Sequence, residues 1–176
     1  MSELFSIQLQ NRQQQGRDGV WLDLPTTTEQ VQAALRQIGI SSDNPQGLSI
    51  SGYFAEEEKR FAIPYNMVLA SNVDELNFLA SRLETLSTGE RAELNAALQV
   101  PQSELSSIGR ITDFPENVDY YVYLPDVHGP AQLGDYYLNR SGMVDMPEEW
   151  KGGIDTAQFG RYVAQQEQGV FTECGY

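Results

Sequence analysis

The chain has 176 residues, with 25 Asp and Glu against 11 Lys and Arg and a formal net charge of −14. It is nonetheless 40% hydrophobic and 10% aromatic, which excludes the disordered class that an acidic, aromatic-poor composition implies. The single cysteine, Cys174, excludes an internal disulfide, and the absence of a basic leader or of an apolar run near the roughly 18 residues of a membrane helix makes the cytoplasm the expected compartment.

Residues 4–10, LFSIQLQ, alternate apolar and polar positions with the period of a half-buried strand, and 20–24, VWLDL, closed by Pro25, reads as its hairpin partner. Thr26-Thr27-Thr28-Glu29 is a capping-box pattern, and Val31, Ala34, Leu35 and Ile38 fall on one helical face before Gly39. SSDNPQG at 41–47 is turn chemistry, after which LSISGYF at 48–54 returns as a third strand under one covering helix.

The middle of the chain changes period. Leu76, Leu79, Leu83 and Leu86 recur at spacings of three and four, with Ser71 or Asn72 as N-cap. Ser87 and Glu90 form a second capping-box match, Leu94, Ala97 and Leu98 make the next apolar face, and Leu105 with Ile108 suggests a third, short helix. Beyond residue 112, VDYYVYL at 118–124 reads as a strand, 131–140 and 155–167 as helices, and the terminal GVFTECGY as a final strand. The expected architecture is α+β in three small domains: 1–69 a small sheet with a covering helix, 70–111 helical, and 112–176 α+β.

Motifs for chemistry are scarce. His128 is the only histidine and sits in a turn-like Pro125–Pro130 segment, so no histidine metal cluster can form within one chain; Cys174 has no neighbouring base and reads as an inert thiol. No nucleotide-binding glycine loop or nucleophile elbow occurs. Carboxylate runs at Glu56-Glu57-Glu58 and Glu148-Glu149 are the candidates for a divalent cation, but the first runs into Lys59-Arg60 and the second suits a helix's first turn. The bases are scattered, which argues against direct nucleic-acid binding. The charge excess, by contrast, grows along the chain, with twelve acids against four bases beyond residue 100. A solvated, soluble surface explains such an excess, and so does a surface that receives a basic partner.

Several segments together carry a resemblance. Trp21-Leu22-Asp23-Leu24-Pro25 is similar to the W-x-D-L-P element of the ArdA-type antirestriction proteins, and Val73-Asp74-Glu75-Leu76-Asn77-Phe78-Leu79-Ala80 resembles their central helix. Ile154-Asp155, Phe159-Gly160-Arg161, Phe171-Thr172-Glu173 and Gly175-Tyr176 resemble their terminal pattern. The loop from Asn11 to Arg17 departs from the family by lacking its tyrosine. The resemblance implies an elongated homodimer without catalysis or cofactor, which copies the shape and charge of bent duplex DNA. It would occupy the DNA groove of type I restriction-modification enzymes and so protect mobile DNA.

Under that resemblance, acids would stand in for phosphates, chiefly Glu84, Glu90 and Glu93 on the central helices and Asp113, Glu116, Asp119, Asp126, Asp135, Asp145, Glu148 and Glu149 beyond. Duplex DNA carries about one charge per 1.7 Å of axis, so fourteen surplus charges correspond to about 24 Å of duplex, and about twice that in a dimer. The exposed-leaning Tyr120, Tyr121, Tyr136 and Tyr137 suit either a dimer contact or core packing. An acidic adaptor or inhibitor of another basic DNA-binding protein, and a small carboxylate-metal enzyme, are the alternatives.

Overall fold

A computed structural model describes residues 3–14, 18–41, 45–101, 104–117 and 121–176. The fold is mixed α+β, and the chain divides into two compact units: residues 1–91 with 104–118, and residues 92–103 with 119–176.

The first unit is built on an antiparallel sheet in the order β2-β1-β3, from β1 (Phe5–Asn11), β2 (Val20–Leu24) and β3 (Leu48–Phe54). The period-2 alternation of β1 holds strictly: Phe5, Ile7, Leu9 and Asn11 point inward, with Leu22 and Leu24 of β2 on the same side. Phe5 pairs with Leu24 and Leu9 with Val20, while a register shift between Gln8 and Leu9 marks an irregularity against β3. The inward Asn11 is satisfied, since its Nδ2 donates to the Ile38 carbonyl at 3.0 Å and its Oδ1 accepts from the Gln13 amide at 3.0 Å.

Helix α1 (Thr28–Gln37) begins with a capping box one residue beyond the expected Thr26–Glu29 pattern, with Thr27 as N-cap and Gln30 as its partner, and buries Ala34 and Leu35. Its end is a Schellman turn. Gly39 takes φ +70°, the Gly39 amide donates to Arg36 and the Ile40 amide to Leu35, which uses the carbonyls a helix end leaves unpaired. A short helix α2 (Tyr65–Ala70), absent from the sequence-based expectation, packs against β3. Helix α3 (Val73–Glu84) is capped by Asn72 and turns Leu76, Leu79 and Leu83 fully inward, the apolar stripe its leucine spacing requires. Helix α4 (Thr88–Gln99) passes from the first unit into the second at Arg91. Helix α5 (Ile108–Thr112) realises the short third helix of the central segment, and packs against α3 through buried Ile108 and Ile111.

The second unit adds α6 (Pro130–Asp135), which continues as a wider π turn over Tyr136–Arg140, then α7 (Glu148–Lys151) and α8 (Thr156–Glu167). Helices α6 and α8 touch backbone to backbone through two glycines. A Cβ on Gly160 would strike the Pro130 carbonyl, and one on Gly134 would strike that of Thr156. Val127, Leu133 and Tyr176 form the core, with Leu124, Tyr136, Tyr137, Val163, Ala164 and Phe171 packed on it.

Two expected strands are not found. Of 118–124, residues 118–120 lie outside the described residues, and 121–124 adopt no ladder. The C-terminal segment closes as a tight turn with a single bridge between Thr172 and Gly175. The two segments meet instead through one reciprocal pair: the Leu124 amide donates to the Tyr176 carbonyl at 2.9 Å and the Tyr176 amide to the Leu124 carbonyl at 3.0 Å. Leu124, Phe171 and Tyr176 supply core contacts at the end of the chain rather than strand pairing. Part of the 41–47 turn, residues 42–44, also lies outside the described residues.

Candidate functional site

Charge is the property this sequence supplies in quantity, and the fold distributes it. The first unit holds fifteen acids and eight bases and the second ten acids and three bases, so each carries −7. The second does so over 70 residues against 106, and is therefore the more densely anionic.

The acids selected from the sequence fall into distinct settings. Asp113, Asp126, Asp145 and Glu149 are exposed and form no ion pair among the described residues. Three others are paired on the surface: Glu116 with Arg82, Asp135 with Arg140 at 3.0 Å, and Glu148 with Lys151 at 2.9 Å. Such exposed pairs are each worth about 0–1 kcal/mol, so an incoming cation exchanges for the internal one at small cost. Glu84 and Glu93 are half-buried rather than fully turned to water, Glu90 is exposed, and Asp119 lies outside the described residues.

Several acids have a second, local task. Glu90 accepts from both the Oγ and the amide of Ser87, at 2.6 and 2.8 Å, and these hydrogen bonds hold its carboxyl below the usual range. The Asn139 amide, followed by the Arg140 charge, lowers Asp135 against a partly opposing desolvation. Asp155 caps α8 by accepting from the amides of Ala157 and Gln158. Glu90 and Asp135, lowered in this way, hold their charge further into the acidic range than ordinary carboxylates do.

Glu167, at the end of α8, falls outside the sequence-selected set. Its Oε1 accepts the Tyr137 hydroxyl and its Oε2 the Tyr176 hydroxyl, the latter at 2.9 Å. Burial first, and then this carboxylate, push the Tyr137 phenol up to about 12 and raise that of Tyr176. Nothing in the helix period of 155–167 singles Glu167 out, because the two phenols come from distant positions.

The metal candidates resolve as charged turns. Glu56 pairs with Lys59 at 3.0 Å, Glu148 with Lys151, and no group of three His, Cys, Asp or Glu able to hold a metal occurs among the described residues. His128 is exposed in the loop before α6, where its amide donates to Gln132. Cys174 is half-buried, with Gln99 Nε2 at 3.8 Å from its sulfur. No helix among the described residues is long and apolar enough to cross a membrane.

The motifs that carry the resemblance have structural roles. Leu22 and Leu24 enter the sheet core, Asp23 accepts from Ser6 at 2.6 Å, and Gly175, at φ +134°, lies where a Cβ would crowd Leu124 and Pro125. The family model described as antirestriction protein (ArdA) matches residues 15–176. No curated protein matches the chain.

Proposed function

This chain belongs to the ArdA antirestriction protein family, and from that membership we propose that it blocks type I restriction-modification enzymes by presenting a surface that mimics duplex DNA. The family is one of inhibitors and implies antirestriction activity. The observation that supports the mimicry is the set Asp113, Asp126, Asp145 and Glu149, exposed carboxylates that pair with no cation among the described residues. A DNA-binding groove is lined with cations that lose their counterions on meeting phosphates, and carboxylates held at a protein surface satisfy the same groups.

The magnitudes are adequate. Counting only the surplus, a dimer offers the charge of about 48 Å of duplex, and counting every carboxylate about 85 Å, with the effective length between the two. The protein acts as a homodimer in the cytoplasm, binds the enzyme rather than nucleic acid, and catalyses nothing. The test is a restriction assay in which purified protein is titrated against a type I enzyme and an unmodified substrate. Stoichiometric protection supports the proposal, and cleavage at an undiminished rate in the presence of excess protein refutes it.

A reading as an inhibitor of another basic protein shares the charge but not the family membership. A carboxylate-metal enzyme has no supporting cluster among the described residues.

A further inference from the structure

The W-x-D-L-P element divides by face. Leu22 and Leu24 fill the sheet core, whereas Trp21 and Asp23 point to the opposite side, where the packing of that core does not require them. On this outer side Trp21 pairs with Gln8 of β1, which in turn pairs with Gly52 of β3. The indole lies along that row: the edge of its six-membered ring comes within 3.0 Å of the position a Gly52 Cβ would occupy, beside the Gln8 side chain. Gln8 is held there, since its Oε1 accepts the Ser51 hydroxyl at 3.1 Å. The ring thus rests across the neighbouring strands and is still 49% exposed.

The next row on the same face, about 7 Å along the strands, is Asp23–Ser6–Phe54. Phe54 is 59% exposed. The Ser6 hydroxyl donates to Asp23 Oδ1 at 2.6 Å, which orients the carboxylate without neutralising it, and Asp23 forms no ion pair among the described residues. Lys59, which lines a notch beside Ser6 and Phe54, is already paired with Glu56 at 3.0 Å.

We propose that this aromatic and anionic face receives an arginine side chain from a basic protein partner. Trp offers the best cation–π surface of the aromatic side chains, and a planar guanidinium stacks on it while its N–H groups reach Asp23 Oδ2. A lysine ammonium, a strongly hydrated point charge, uses the carboxylate but makes poorer use of the flat ring. A neutral apolar group would cover Asp23 without a counter-charge. A nucleic-acid base could stack on Trp21, but its phosphate would meet Asp23 on a unit with fifteen acids and eight bases. Trp and Arg are enriched among the few residues that carry most of an interface's energy, so one such pair can fix the position of a partner that charge attracts diffusely. The chemistry of this face stands apart from the proposed function; only the identity of the partner, an enzyme with a basic DNA groove, rests on it.

The test uses the full chain labelled with nitrogen-15 and an acetylated Gly-Arg-Gly amide as probe, with the citrulline peptide as its uncharged isostere. The second tryptophan of the chain, Trp150, is 66% exposed and follows Glu148 and Glu149, so its indole reports diffuse attraction to acids. We expect saturable shifts of the Trp21 indole and of the Ser6 and Gly52 amides with the arginine peptide, a much smaller shift at Trp150, and none with citrulline. Trp21→Leu, read at the Ser6 and Gly52 amides, and Asp23→Asn, which keeps an acceptor for Ser6, should each weaken binding about two- to fivefold. Equal shifts at both indoles, shifts that citrulline reproduces, or an affinity unchanged in folded Asp23→Asn would overturn the proposal. Restriction assays on the same variants separate the two claims. Loss of arginine binding with undiminished inhibition refutes the anchor while leaving the mimicry intact, whereas saturable arginine binding at Trp21 by a protein that inhibits nothing upholds the face and refutes the inhibitor.

Discussion

Asn77 of α3 is hydrogen-bonded in both directions to the main chain of Thr26: its Oδ1 accepts the Thr26 amide at 2.7 Å and its Nδ2 donates to the Thr26 carbonyl at 3.1 Å. The amide side chain thereby closes the end of the W-x-D-L-P element onto the central helix, joining two motifs 51 positions apart. Asn77→Ala leaves an amide and a carbonyl without partners in a half-buried setting, and should cost about 1–3 kcal/mol. Urea unfolding measures this, and the folded variant should still inhibit restriction.

The two glycines between α6 and α8 make a sharper steric prediction. Gly160→Ala puts a methyl into the Pro130 carbonyl, where no flexible side chain can give way, and should destabilise by at least about 1–3 kcal/mol. Gly109→Ala in α5 meets nothing within 4 Å and should be neutral or stabilising by up to about 1 kcal/mol. Equal melting temperatures for the two variants would contradict the packing.

The phenols on Glu167 predict an alkaline transition. Their folded pKa values are raised, so the native state holds these protons more tightly than the unfolded chain does. Their contribution is complete below the unfolded tyrosine value near 10 and is lost as pH rises toward about 12, the value of Tyr137. Stability should fall through that window, and Tyr137→Phe should flatten the fall. Ultraviolet titration should show Tyr137 and Tyr176 ionising above the ordinary tyrosine value.

Oligomeric state is measured by sedimentation at micromolar concentration. The proposed dimer should sediment at twice the 19.7 kDa chain mass, and a species of 19.7 kDa alone would contradict it.

Local signals in the sequence predicted local structure well. The alternation of β1 and the leucine stripe of α3 act within a few residues, and each appears where the pattern places it, while the capping box of α1 falls one residue later than its pattern, at Thr27. Features that depend on distant partners were not legible. Helix α2 begins after Pro64 without a side-chain cap, and is held against β3 rather than by a start signal of its own. Residues 121–124 and the C-terminal segment have strand-like composition, yet they meet through the reciprocal Leu124–Tyr176 pair, which no periodicity encodes. The acidity of the candidate surface was plain from composition. That Glu116, Asp135 and Glu148 share their charge with neighbouring cations, and that Glu167 is shared by two phenols, depends on the folded arrangement.

Single neutralisations on the surface should change inhibition little, since exposed charges each contribute about 0–1 kcal/mol. Joint replacement of Asp113, Asp126, Asp145, Glu148 and Glu149 by their amides should abolish inhibition with the melting temperature kept, because none of these side chains is buried.

The most direct measurement is displacement of a labelled DNA site from a type I restriction-modification enzyme by the purified protein over a range of salt. A groove occupied through charge predicts full displacement at low salt and an apparent affinity that falls linearly in log–log form with a slope of several ions. Failure to displace DNA at low salt, or a displacement indifferent to salt, would contradict the account.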